Sequence, residues 1–252
     1  MIKRIIPLFL LSGNRLVKGT NFSSYIDTGD PLSQAKIYDA QGADEIIILD
    51  INASKSGKVI SSELLRKIAS ACKLPICAGG GIKTLQDARE LFLNGADRVV
   101  INTHALLNPD LIKHLADEFG SQAIIVSIDV KKTQQGKYKV YIFSGKVPSE
   151  VDIFKHIELC IKLGAGEIML TSIDKEGTLS GFDIELYKSV RERFDIPLIA
   201  SGGAGNYEHI ATLFEKVDCE ACAIGKMLFL RDYDIVRIKS YLIGKAIIVR
   251  NS

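Results

Sequence analysis

The sequence predicts an α/β fold, a (β/α)8 TIM barrel with a two-fold half-barrel repeat. Three observations predict it. Short apolar runs alternate with amphipathic helical stretches, eight runs in all. No polar linker breaks the alternation, and 252 residues suit one barrel of this kind. The chain also repeats itself with a period of about 120 residues. Glu45-Ile46-Ile47-Ile48-Leu49-Asp50 echoes Glu167-Ile168-Met169-Leu170-Thr171-Ser172, and Ala78-Gly79-Gly80-Gly81 echoes Ser201-Gly202-Gly203-Ala204. The expected organisation is a single domain over 1–252, with half-barrels of about 1–120 and 121–252. An open doubly wound sheet would not repeat so evenly.

In chain order the strands read near 5–10, 45–50, 75–78, 97–102, 123–129, 167–172, 197–201 and 219–224. Helix starts are marked by a capping side chain before proline at Asp30-Pro31 and Asn108-Pro109, and by the capping-box pair Thr84 and Asp87. Gly42, Gly95, Gly120 and Gly164 mark helix ends. Two connections are long. Residues 11–29 read as a glycine-containing loop, and residues 130–148 hold Lys139-Val140-Tyr141-Ile142-Phe143, part of a small hairpin. Both follow strand C-terminal ends, the face where barrels keep their chemistry and their lids.

Composition narrows the function. A net charge of +2 argues against nucleic acid and anionic membrane, and no run of 18 apolar residues suggests a span. The start of the chain lacks a signal-peptide pattern, and five scattered cysteines favour a reducing, cytoplasmic setting. Cys219-Glu220-Ala221-Cys222 matches C-x-x-C but leads into a strand rather than a helix. Its thiols are expected on opposite strand faces. His104, His114, His156 and His209 show no metal-like spacing, so neither metal nor histidine catalysis is expected. No Ser/His/Asp or Cys/His nucleophile arrangement stands out.

The chemistry-bearing motifs lie after the strands. Gly79-Gly80-Gly81 and Gly202-Gly203-Ala204-Gly205 each follow an apolar strand and precede a helix, so backbone N–H groups can approach phosphate oxygens. Asn102-Thr103 and Gly225-Lys226 end the next strand of each half and can complete each cup. A substrate phosphorylated at both ends would fit. Asp129 ends the strand 123–129 and is the candidate general acid/base, whereas the corresponding position of the first half is Leu10. Asp50 and Asp174 either cap loops or bond substrate; Lys18 either contacts phosphate or is solvated. At the strand starts, Arg4, Glu45, Arg98 and Glu167 are either a stability cluster or a closed charged ring.

Together, Lys3-Arg4-Ile5-Ile6-Pro7, Arg15-Leu16-Val17-Lys18-Gly19, Leu49-Asp50-Ile51, Gly79-Gly80-Gly81-Ile82, Ile101-Asn102-Thr103, Leu170-Thr171-Ser172-Ile173-Asp174 and Ala200-Ser201-Gly202-Gly203-Ala204-Gly205 resemble the cyclase subunit of imidazole glycerol phosphate synthase over nearly the whole chain. The resemblance implies a barrel that takes ammonia from a separate glutaminase subunit, as a heterodimer, and uses no cofactor. It implies a gate of Arg4, Glu45, Arg98 and Glu167, one phosphate site at Gly80, Gly81, Asn102 and Thr103, and another at Gly177, Gly202, Gly203 and Gly225. It makes Asp129 one of two catalytic aspartates. The chain departs from the family pattern at Leu10, where the second aspartate belongs, at Glu176 for aspartate, at Gly225 for serine and at Arg98 for lysine. Changes at one face beside an intact gate suggest an ammonia-dependent synthase or lyase turned to another acceptor; with Leu10 aliphatic, the chain resembles relatives in sugar modification, which implies a phosphorylated or nucleotide-sugar substrate in amidino-sugar formation and a sugar amidotransferase as further partner. The alternatives are the histidine-pathway cyclase and a non-catalytic ammonia conduit.

Overall fold

In the computed structural model, which describes residues 2–229 and 233–250, eight parallel strands close into a barrel. They are β1 (Arg4–Ser12), β2 (Ile46–Asp50), β3 (Ile76–Gly79), β4 (Arg98–Ile101), β5 (Ile124–Lys132), β6 (Glu167–Ser172), β7 (Leu198–Ser201) and β8 (Ala221–Ile224). Each pairs with its successor, and β8 pairs with β1 through Arg4↔Ala221 to Pro7↔Ile224, which leaves the barrel without an open edge. Helices connect successive strands around the outside.

Strand alternation divides the core into two layers. Ile6, Leu8, Leu10, Ile47, Cys77, Val100, Ile125, Met169, Ile199, Ala221 and Ala223 fill the lumen. Ile5, Phe9, Ile46, Ile48, Val99, Ile124, Val126 and Ile168 face the helices. Each such aliphatic side chain contributes about 1.5–3 kcal/mol by leaving water. No helix among the described residues is long and apolar enough to cross a membrane.

The helix signals act largely as read. Asp30 accepts from Ser33 N at 2.8 Å ahead of Pro31, and Thr84 with Asp87 forms the reciprocal box. Asn108 does not cap: its helix is Asp110–Phe119, entered through Pro109 without a side-chain bond. The cysteine pair also differs from expectation. β8 begins at Ala221, so Cys219 lies ahead of the strand, and both thiols pack free in the barrel–helix layer.

β1 and β5, the longest barrel strands, run nine residues each and overshoot the barrel. Each continues into an antiparallel flap. Tyr138–Ile142 pairs with β5, as the sequence pattern suggested. The stretch 11–29, read as a loop, instead folds into Arg15–Thr20 on β1 and Ser23–Gly29 beyond it. Alternation in Leu16-Val17-Lys18 is poor because the flap buries both faces there. The flaps meet over the mouth: a Cβ on Gly145 would lie 2.6 Å from the Phe22 ring.

Candidate active site

β1 and β5 carry Leu10 and Asp129 to corresponding places at the C-terminal mouth. Leu10 lies beside Leu49 of β2 and Val17 of its flap; Asp129 lies beside Thr171 of β6 and Tyr141 of its flap. Both line one cavity enclosing about 810 Å³ of empty space, its open mouth included. Leu8, Leu10, Leu49 and Ile51, with Phe22 and Tyr25 from the first flap, make an apolar wall. Ser127, Asp129, Thr171 and Glu176 make a polar wall from the second half.

Asp129 is only 7% exposed, and Asn102 Nδ2 donates to its Oδ2 at 3.0 Å. Burial pushes its carboxyl up to about 7; the Asn102 bond opposes the shift, and the nearby charge of Glu176 reinforces it. A carboxyl poised near neutrality, inside a cavity, can give or take a proton at working pH.

The two glycine loops adopt matching geometry. Gly80 and Gly81 have φ of +112° and +77°, and Gly202 and Gly203 have φ of +96° and +111°. A Cβ on Gly81 would sit 1.9 Å from Lys58 O, and one on Gly203 would sit 2.2 Å from Gly181 O. Only glycine fits both the torsion and the space. Gly80, Gly81, Asn102 and Thr103 line the large cavity. Thr103 Oγ1 accepts from Phe143 N at 3.1 Å, which ties this cup to the second flap. Gly177, Gly202, Gly203 and Gly225, with Lys226, line a separate cavity of about 220 Å³. The expected phosphate-site residues therefore assemble into two cups, one per half.

Lys18 is neither solvated nor in either cavity lining. It is 2% exposed, donates to Leu8 O, and lies 5.0 Å from the Phe229 ring centroid. Burial pushes its ammonium down to about 8, against the attraction of Glu176. Asp50 and Asp174 act as loop acceptors: Asp50 takes Asn52 N at 2.8 Å and Asp174 takes Lys132 N at 2.7 Å. His104 lines the cavity beside Thr103, whereas His156 is buried near Cys160. Among the described residues no group of three or more His, Cys, Asp or Glu could hold a metal ion.

At the opposite end the four charges meet. Arg4 bridges Glu45 and Glu167. Arg98 Nη1 lies 2.6 Å from Glu167 Oε2 and 3.4 Å from Glu45 Oε2, which closes the ring. Cys77 Sγ donates to Glu45 Oε2 at 3.1 Å. Burial, with Glu45 beside it, holds that thiol well above its ordinary value, so it stays a protonated donor.

Reading the sequence alone missed the two-sided placement of Glu176, which lines both cavities. It also missed Phe22, Tyr25 and Ser144 in the cavity wall. The one available signal was the departure at Glu176 itself; the flap residues come from long connections with no clean period.

A closed barrel with glycine cups repeated on its C-terminal face and a charged ring at the other end defines a (β/α)8 barrel whose two halves share one ligand-sized cavity. The model of the histidine biosynthesis protein family matches residues 4–234, and the chain belongs to that family. It is 40% identical over 250 residues to the imidazole glycerol phosphate synthase subunit HisF of Chlorobium limicola, covering 99% of both chains. It is 42% identical over 250 residues to the subunit of the same name from Chlorobaculum parvum, again over 99% of both.

Proposed function

We propose that this chain is an ammonia-using barrel subunit of the imidazole glycerol phosphate synthase type. Ammonia from a glutaminase partner enters past Arg4, Glu45, Arg98 and Glu167 and meets a bisphosphorylated acceptor at the opposite face. The observation that carries this reading is full-length identity of 40–42% to subunits of that name. The closed ring at one end and the Asp129 cavity at the other support it. In this reading the Gly80–Thr103 and Gly202–Gly225 cups hold the acceptor's phosphates, and Asp129 is its acid/base group. The chain's own residues orient the acceptor between the cups, and the apolar lumen carries a neutral molecule without competing hydrogen bonds.

Leu10 favours a second reading, an amidino-sugar relative with another acceptor. The names of the relatives favour the histidine-pathway reading over it. A purified-chain assay with the bisphosphorylated histidine-pathway substrate and ammonium salt tests the choice. Turnover supports the synthase reading, at a rate about 10²–10⁴-fold below that of an enzyme with both aspartates if nothing replaces the one lost at Leu10. Absence of turnover, with glutaminase binding intact, favours the altered acceptor or the conduit. Phosphate titration should also perturb both cups.

A further inference from the structure

The cavity lacks an acid/base group on β1, yet it is not left with one carboxyl. Glu176 follows β6, is 7% exposed, and lines the large cavity that holds Asp129. It also lines the small cavity under the second glycine cup. Among the described residues no hydrogen bond holds its carboxylate, and Lys18 and Lys226 act on it only through charge at longer range. Most buried carboxylates in this chain are pinned, as Asp44 is by Lys239 at 2.9 Å and by Ile5 N at 2.8 Å. A buried polar group without a protein partner is costly unless a ligand or water supplies one. Glu176 is thus aimed at whatever fills the cavity.

Its surroundings are specific. A Cβ on Gly225 would lie 3.7 Å from Glu176 Oε1 and 3.2 Å from Lys18 Nζ, so the absent side chain at Gly225 leaves room for both tips. The groups that face Glu176 are Asp129 of β5, Lys18 and Tyr25 of the first flap, Lys226 after β8, and Tyr187 from the helix Ile184–Arg191. Burial raises Glu176, and the two lysines restrain the rise. The charge of Glu176 disfavours ionisation of Asp129, so a proton shared by the two carboxyls rests on Asp129.

We propose that Glu176 is the second acid/base residue of this cavity and takes over the part that Leu10 cannot play. The inference rests on the ammonia-acceptor reading above. When ammonia adds and an oxygen leaves, the nitrogen must lose a proton and the departing oxygen must gain one. Glu176, the ionised member, accepts the first and Asp129 supplies the second; the oxygen leaves as water or an alcohol. The pair ends with its proton moved from one carboxyl to the other, and exchange with solvent resets it. No oxidant or reductant is needed. Of the chain's three departures at this face, the longer acid at Glu176 and the space at Gly225 then act together to offset the third, Leu10.

The test uses the full chain, ammonium salt and the bisphosphorylated acceptor. Glu176→Gln should lower kcat about 100-fold or more with KM nearly unchanged, and should remove one limb of the pH profile. Glu176→Asp should keep part of the rate. Leu10→Asp placed in the Glu176→Gln chain should restore at least about tenfold. A Glu176→Gln chain within a few-fold of the parent, with an unaltered pH profile, overturns the proposal. If the parent chain does not turn over, the acceptor reading fails, and carbon-13 NMR titration of the carboxyls decides the pair by itself. Two coupled steps that collapse to one in Asp129→Asn support it; independent titrations overturn it.

Discussion

The two ends of the barrel bury charge in opposite ways. At the strand starts, Arg4, Arg98, Glu45 and Glu167 form a closed ring in which every charge touches an opposite one. At the strand ends, Asp129, Glu176 and Lys18 are more deeply buried than the two arginines, and among the described residues they influence one another through charge without forming a salt bridge. The consequence is visible in their proton affinities: Asp129 rises to about 7 and Lys18 falls to about 8. Paired charges resist titration and hold a shape; unpaired ones sit near neutrality and are available for chemistry. One barrel thus holds a closed set of paired charges at one end and buried, unpaired, titratable ones at the other.

The sharpest way to break this contrast is Asp129→Asn. Initial rates with ammonium should fall about 10²–10⁴-fold while the fold survives, since Asn102 can still hydrogen-bond the new amide. Retained activity would mean that the unpaired carboxyl is not the reactive one.

Next in size is Glu167→Gln, which leaves both arginines short of a partner. Denaturant midpoints should report a loss of about 1–3 kcal/mol, less than for a fully buried pair because Arg4 and Arg98 keep contact with water. Glutamine-dependent ammonia transfer should suffer more than use of ammonium from solution. An unchanged midpoint would remove the ring from the structural account.

A separate handle is the pH dependence that Asp129 imposes. Its folded value, about 7, lies above the ordinary carboxylate value, so the folded chain holds a proton that the unfolded chain has released. Unfolding free energy should therefore fall as pH rises from about 4 to about 7 and then level off, by about 3–5 kcal/mol in all. Asp129→Asn should flatten that slope. Denaturant titrations across the window check the sign.

The smallest change sharpens the comparison most finely. Gly225→Ala places a methyl 3.2 Å from Lys18 Nζ and should shift stability by less than about 1 kcal/mol. It should nevertheless displace the Lys18 ammonium and alter its titration, measurable by nitrogen-15 NMR. An unmoved Lys18 would show that the space at Gly225 does not matter to it.

The barrel itself was legible because short continuous apolar runs and glycine turns are local signals. Strands β2, β6 and β7 start within one residue of where the apolar runs begin. The glycine cups were legible for the same reason, as Gly81 and Gly203 need both a positive φ and missing side chains. The first flap was not. Its burial comes from packing across the mouth, so Lys18 reads as a loop residue that contacts phosphate or is solvated, yet ends up inside. Glu176 was visible as a departure from a family pattern, but its position between two cavities depends on the turn after β6 folding beneath Asn21, whose backbone N–H donates to Glu176 O at 2.8 Å.

The meeting of Phe22 with Gly145 has a consequence for timing. The two flaps grow from opposite sides of the barrel and touch over the cavity, while Ser144 Oγ is tied to Ile51 O at 2.8 Å and Asn21 Nδ2 to Ile173 O at 2.9 Å. The latch spans part of an open mouth, so its parting widens the way out for a molecule seated beneath both flaps. Widening by that route turns on an aromatic ring lifting off a glycine, a motion separate from proton transfer below.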